Sequence, residues 1–187
     1  QIFGGLTLLS ETISSLPKEG YETVRSLFPK KKATILSAME YDKNVFVCRF
    51  KLGLFEYYII ANCSEDERKV ELPNYHFFCK ENRQLYNQKR EITILPYATK
   101  TLKIIGDGDV LWGSTGYYVP CGEVVDVQTE KSNEGYNIVK ITLEPKYRNN
   151  GKYYFKPHYV HELYVNGKKC EMVGYNGRQE MYSYEME

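Results

Sequence analysis

The chain has 187 residues, enough for one large or two small domains that each bury a core. Its 25 basic and 24 acidic residues leave a formal charge of +1, which argues against a nucleic-acid partner recognised through a basic excess. No apolar run approaches the roughly 18–20 residues that cross a bilayer as a helix, so no membrane partner is expected.

Eighteen tyrosines against eight phenylalanines and four methionines bias the chain toward strands. Tyrosine also suits faces that are half apolar and half wet, sugar-binding faces among them. The five cysteines, Cys48, Cys63, Cys79, Cys121 and Cys170, stand far apart with no C-x-x-C pair. That spacing fits reduced thiols in a cytoplasmic setting better than a disulfide framework or a zinc site, and no metal or cofactor is expected. Asn62-Cys63-Ser64 fits the glycosylation sequon, a pattern short enough to arise often by chance. The first residues are apolar, but they lack a basic n-region and Glu11 interrupts them, which argues against a signal peptide. With Gln1 in place of an initiator Met, the start reads as a cut inside a longer protein.

In chain order, Ile2 to Leu9 reads as a short buried strand with Gly4-Gly5 allowing close approach. Ser14 or Ser15 can cap a helix whose first turn holds Pro17 and Glu19. Tyr21, Val24, Leu27 and Phe28 fall on one face of that helix, and Pro29 stops it. Such a lone β-α unit cannot bury its own faces and looks like the end of something larger. Lys30-Lys31-Lys32 is a solvated linker. From Ala33 the pattern changes to period two. Tyr57 to Leu72 reads as an antiparallel hairpin, two β-rich runs joined by the charged turn Asn62–Arg68. With Tyr75–Cys79, Gln84–Tyr86, Glu91–Leu95 and Thr99–Ile105, about eight short strands argue for an antiparallel sandwich. Gly106-Asp107-Gly108-Asp109 reads as a turn and linker, too short a ligand run for calcium. A second β pattern follows, with strands at Val110–Gly113, Tyr117–Val119, Glu123–Thr129, Tyr136–Leu143, Lys152–Pro157, Glu162–Val165 and Glu171–Tyr175. Hairpin turns are expected at Asn133-Glu134-Gly135, Asn149-Asn150-Gly151 and Asn166-Gly167. Met181 to Glu187 reads as a frayed end.

Chemistry-bearing candidates are few. His158 and His161, three apart on a strand, point to opposite faces, which disfavours joint metal ligation. No Ser-His-Asp order, P-loop or Rossmann glycine pattern is present, and no catalytic residue is assigned. Glu65, Asp66 and Glu67 share a turn tip and read as a solubilising gatekeeper. Glu11 directly follows a buried strand, as residues at the rim of a β/α barrel do; a carboxylate at a helix start is the plainer reading. Trp112, Tyr117 and Tyr118 flank Gly113–Gly116 and would form a carbohydrate platform if exposed; as core aromatics they would only pack.

Gly4-Gly5-Leu6-Thr7-Leu8-Leu9-Ser10-Glu11, a helix ending in Leu27-Phe28-Pro29, and a following β domain resemble the C-terminal region of α-galactosidase (melibiase-like) glycoside hydrolases. Ile60-Ala61-Asn62-Cys63-Ser64 with Val70-Glu71-Leu72-Pro73 is similar to a turn of that family's β domain, and Ile94–Thr99 with Leu102 to its closing strand. Cys63 stands where an aromatic is usual and Glu11 where Asp is usual. The similarity covers residues 1–105. It implies that the catalytic Asp residues lie on barrel strands outside this sequence, with at most Glu11 near the pocket rim.

The resulting expectation is a mainly β chain: two antiparallel β-sandwich domains preceded by a short β-α remnant of a β/α barrel. The boundaries fall at 1–32, 33–105 and 106–187. Its function would be that of accessory domains of a glycoside hydrolase, stabilising the barrel of the same polypeptide or assisting carbohydrate binding. A free-standing carbohydrate-binding module and a structural assembly domain that forms homo-oligomers are the alternatives.

Overall fold

The computed structural model describes residues 17–18, 31–86, 90–135, 137–144, 151–156, 162–165, 168–170, 172–176 and 181–186. Glu11, nearly all of the expected β-α unit, and His158 and His161 lie outside those residues. Among the described residues the architecture is mainly β, every strand pair is antiparallel, and no helix is long and apolar enough to cross a membrane.

The first part of the chain builds two layers. Strands β1 (Thr34–Asp42), β2 (Val45–Leu52), β3 (Phe55–Asn62), β5 (His76–Cys79), β6 (Gln84–Tyr86) and β8 (Thr99–Ile105) form a six-stranded sheet in the order β1-β2-β3-β8-β5-β6. Strands β4 (Arg68–Glu71) and β7 (Glu91–Ile94) pair as a separate ribbon. Period-two alternation explains their contact. Val45, Val47, Ile60, Phe77, Cys79 and Leu102 project from one face of the sheet, and Val70, Leu72, Ile92 and Ile94 from the ribbon. All ten are buried in one cluster. Each fully buried aliphatic or aromatic side chain contributes roughly 1.5–3 kcal/mol, so this layer contact is the main source of cohesion here.

The Tyr57–Leu72 hairpin does not form. Strand β3 pairs with β2 and β8, while β4 crosses to the second layer and pairs with β7. Asn62 makes the switch possible. It is 1% exposed, and its Nδ2 donates to the carbonyls of Asp66 (2.7 Å), Ile94 (3.2 Å) and Leu95 (3.1 Å). Its Oδ1 accepts from the Ser64 amide at 3.0 Å and the Ser64 hydroxyl at 2.6 Å. A buried side-chain amide thus takes the place of the ladder bonds that a hairpin would have supplied. The sequon asparagine is consequently enclosed and fully engaged.

Residues of 111–119 and Tyr154 pack on the other face of the same sheet. Strands β9 (Leu111–Ser114), β12 (Gly151–Phe155), β15 (Met172–Asn176) and β16 (Met181–Met186) form a sheet in the order β15-β16-β12-β9. Two ribbons accompany it, β10 (Val124–Lys131) with β11 (Asn137–Leu143) and β13 (Leu163–Val165) with β14 (Lys168–Cys170). Phe50, Leu52 and Tyr57 share a buried cluster with Tyr117 and Val119. Phe78 stacks on Tyr154 with ring centroids 5.0 Å apart. Gly113 permits this approach, because a Cβ there would lie 2.2 Å from the Phe78 ring. The Gly106–Asp109 stretch is therefore a tight turn between packed strands, closed by the Asp109 amide on the Gly106 carbonyl at 3.0 Å, rather than a spacer.

Two further expectations change. Tyr117 and Val119 are buried but 117–119 forms no strand, and Met181–Met186, read as frayed, is the interior strand β16, paired with both β12 and β15. The expected turn at Asn133-Glu134-Gly135 joins β10 to β11, with Gly135 at φ +87° and its amide on the Ser132 carbonyl. Val165 pairs with Lys168 across the two residues of the expected Asn-Gly turn.

Candidate functional site

The antiparallel order β3-β8-β5 brings the starts of β3 and β5 to the end of β8, with Tyr57 opposite Lys103 and His76 opposite Ile105. An open groove of about 520 Å³ lies where those ends meet. Phe55, Tyr75 and Ile104 supply apolar wall, and Asn74, His76 and Asp107 supply polar groups. Tyr75, His76 and Asp107 are exposed, so the groove is open to ligand without rearrangement.

Its base is held by an ion pair. Lys103 has no exposed surface, and its Nζ donates to Asp109 Oδ2 at 2.8 Å and to the Leu111 carbonyl at 3.3 Å. The ammonium also sits 4.3 Å from the Phe55 ring centroid. A buried ammonium costs several kcal/mol unless it is paired and hydrogen-bonded, and here a carboxylate, a carbonyl and a ring face share the compensation. Asp109 Oδ2 accepts from the Gly106 amide as well, at 3.2 Å, which ties the floor to the turn. On the rim, Arg49 bonds to Glu56 through Nε at 2.9 Å and lies 5.3 Å from the Tyr75 ring centroid. Tyr75 in turn meets Phe77 edge to face, with centroids 6.1 Å apart. The aromatic wall is thus positioned by charged neighbours, and Glu56 and Asp109 are both engaged in ion pairs.

The groove combines aromatic surface with carboxylate, amide and imidazole groups. Chemically it suits a ligand that has both C–H faces and hydroxyls.

The aromatic residues named from sequence are not a shared open platform. Tyr117 has no exposed surface and packs on Phe50 and Tyr57. Tyr118 is half-buried with its ring 4.3 Å from that of Tyr117. Trp112 is half-buried in a different cluster, against Phe78 and Tyr154. The turn after Tyr117 is locked: Tyr57 Oη donates to the Pro120 carbonyl at 2.8 Å, and Lys31 Nζ to the Gly122 carbonyl at 2.8 Å.

A second polar cluster lies inside the fold. Cys121 occupies the left-handed region at φ 60°, and its amide donates to Ser114 Oγ at 2.8 Å. Glu123 is 1% exposed, and neither carboxyl oxygen reaches a partner at hydrogen-bonding geometry. Burial raises its pKa, while the nearby hydroxyls of Ser114 and Tyr153 and the Lys31 ammonium act in the opposite sense. Burial likewise pushes the Cys121 thiol far up, and the Cys79 thiol up to about 12, with Glu81 adding to the latter. Thiols so shifted carry almost no thiolate at neutral pH and are poor nucleophiles. Among the described residues Cys48, Cys63, Cys79 and Cys121 carry free thiols, all but Cys63 buried. Among the described residues no group of three His, Cys, Asp or Glu side chains could hold a metal ion.

No protein-family model, curated protein or solved structure matches the chain.

Proposed function

We propose that this chain is a non-catalytic accessory β region of a glycoside hydrolase, α-galactosidase-like in kind, that contacts carbohydrate through the groove beside Tyr75. The groove carries the reading: an exposed, braced tyrosine stands beside an amide, an imidazole and a carboxylate at the mouth of three strand ends. The motifs over residues 1–105 that resemble the family's C-terminal region support the class of parent enzyme. In this reading 33–105 and 106–187 are the two sandwich modules, and 1–32 closes a β/α barrel of the same polypeptide. Catalysis belongs to that barrel, because retaining hydrolysis needs two carboxyl groups about 5–5.5 Å apart across the sugar. Glu56 and Asp109 of the groove are each held by a cation, and Glu123 is enclosed.

Affinity electrophoresis through gels containing galactose-bearing and other neutral polysaccharides tests the reading. Retardation that is lost in Tyr75→Ala and kept in Trp112→Ala is the expected result. Unretarded migration of the folded wild-type chain in every gel, or loss only in Trp112→Ala without a fall in melting temperature, would overturn the groove assignment. The parent-enzyme part has its own test in the mass of the natural gene product. A band near 21.9 kDa would remove the hydrolase parent. A band larger by a barrel of about 250 residues would support it.

A further inference from the structure

We propose that β1 is a self-association surface through which two copies of this chain pair strand against strand about a two-fold axis at Ala38. The inference is independent of the carbohydrate reading. All nine residues of β1 are exposed, and β2 is its one ladder partner among the described residues. Ile35, Leu36, Met39 and Tyr41, with Phe46 on the adjoining strand, leave large apolar side chains in water. Edge strands of monomers are ordinarily short, or guarded by charged side chains, Pro or bulges. Strand β1 is long and has no Lys or Pro within it; its charges are Glu40 and Asp42, and it carries two bulges.

The register of β1 shows why the occupant is a second copy. Two bulges interrupt its ladder with β2, one between Ile35 and Ser37 and one between Glu40 and Asp42. Against a regular strand each bulge would leave an unmatched residue on the outer edge. Against a second β1 running antiparallel, with Ala38 opposite Ala38, the steps cancel: Ile35-Leu36 of one copy spans the same interval as Glu40-Tyr41 of the other. The faces agree as well. Partners Lys51, Arg49, Val47 and Val45 place Thr34, Ser37, Met39 and Asp42 on one face of the sheet, and partners Phe50, Cys48 and Phe46 place Ile35, Ala38 and Glu40 on the opposite face. The two-fold sets Thr34 opposite Asp42 and Ser37 opposite Met39, each pair on a common face. A slip of one residue would mix the faces. Charge is compatible with the fit: exposed Lys32 lies diagonal to Asp42 of the second copy, whose carboxylate also faces Arg68 of its own chain at 3.7 Å.

Cross-linking of the full chain tests the proposal. In a Cys48→Ala, Cys63→Ser background, which removes the thiol directly opposite Ala38 on β2 and the exposed one, Ala38→Cys is expected to give a disulfide-linked dimer on mild oxidation. Directly opposed residues have Cα atoms about 4.5–5.5 Å apart, and a disulfide accepts roughly 4.4–6.8 Å. Thr34→Cys, opposite Asp42 rather than itself, should stay unlinked. In sedimentation, Met39→Lys should weaken the dimer by about tenfold or more, because the two-fold sets the two Met39 positions diagonal to each other on one face and the substitution puts like charges there, with an unchanged far-UV spectrum. A wild-type chain that sediments as a monomer at every concentration would overturn the proposal, as when residues of the same chain or another polypeptide cover β1. So would a dimer in which Ala38→Cys fails to cross-link.

Discussion

Glu123→Gln keeps the shape of a buried side chain and removes its ability to ionise, so the perturbation isolates one proton. The wild-type carboxyl is 1% exposed and neither oxygen is hydrogen-bonded, and burial raises its pKa in the folded chain. In the unfolded chain the same group titrates near its ordinary value of about 4.3. Below that pH both states hold the proton and Glu123 has no pH-dependent effect. As pH rises above about 4.3, the unfolded state releases its proton while the folded state keeps it, so stability falls by up to about 1.4 kcal/mol per pH unit until the folded pKa is reached. For a chain of this length each kcal/mol moves the melting temperature by roughly 2–4 °C. The other titratable groups act equally in both proteins, so they cancel in the difference. Thermal melts of wild type and Glu123→Gln between pH 4 and pH 7 should coincide at the acid end and diverge above it, the glutamine form becoming the more stable. Parallel curves across the whole range would refute the reasoning, since they would mean that Glu123 titrates alike in the folded and unfolded chains.

Gly113→Ala places a methyl group 2.2 Å from the Phe78 ring, so the contact between β9 and the six-stranded sheet must open. Overpacking of this kind costs about 1–3 kcal/mol, and calorimetry should show one cooperative transition shifted down rather than a second, separate one. Asn62→Ala removes five hydrogen bonds and leaves the carbonyls of Ile94 and Leu95 without their side-chain donor. Chemical denaturation should report a loss of about 2 kcal/mol or more, with the m-value unchanged.

How much was legible beforehand depended on how local the cause was. Strands β3, β5, β6, β7 and β8 were readable because alternation and turn residues act within a few positions of each other. The destination of β4 was not, since the Asn62 amide that sends the chain across to β7 looks like any turn asparagine until its burial is known. The same holds for Tyr117, whose place under the sheet follows from its packing, with Val119, on Phe50, Leu52 and Tyr57. The groove was invisible for a related reason: residues 54–56, 74–76 and 104–109 are distant in sequence and meet through strand order. One signal could have found its floor. Strand β8 carries Lys103 between Leu102 and Ile104, and a lysine in a doubly covered strand requires a nearby counter-charge, which Asp109 supplies. Glu11, the one residue at which the sequence hinted at a barrel rim, lies outside the described residues.

The central claim is that carbohydrate contacts the groove beside Tyr75, and backbone NMR of the labelled chain titrated with a galacto-oligosaccharide tests it most directly. The account predicts shifts that saturate with ligand and cluster on the amides of residues 54–56, 74–76 and 104–109. A spectrum unmoved by that sugar and by other neutral oligosaccharides, or shifts gathered around Trp112 and Tyr118 instead, would contradict it.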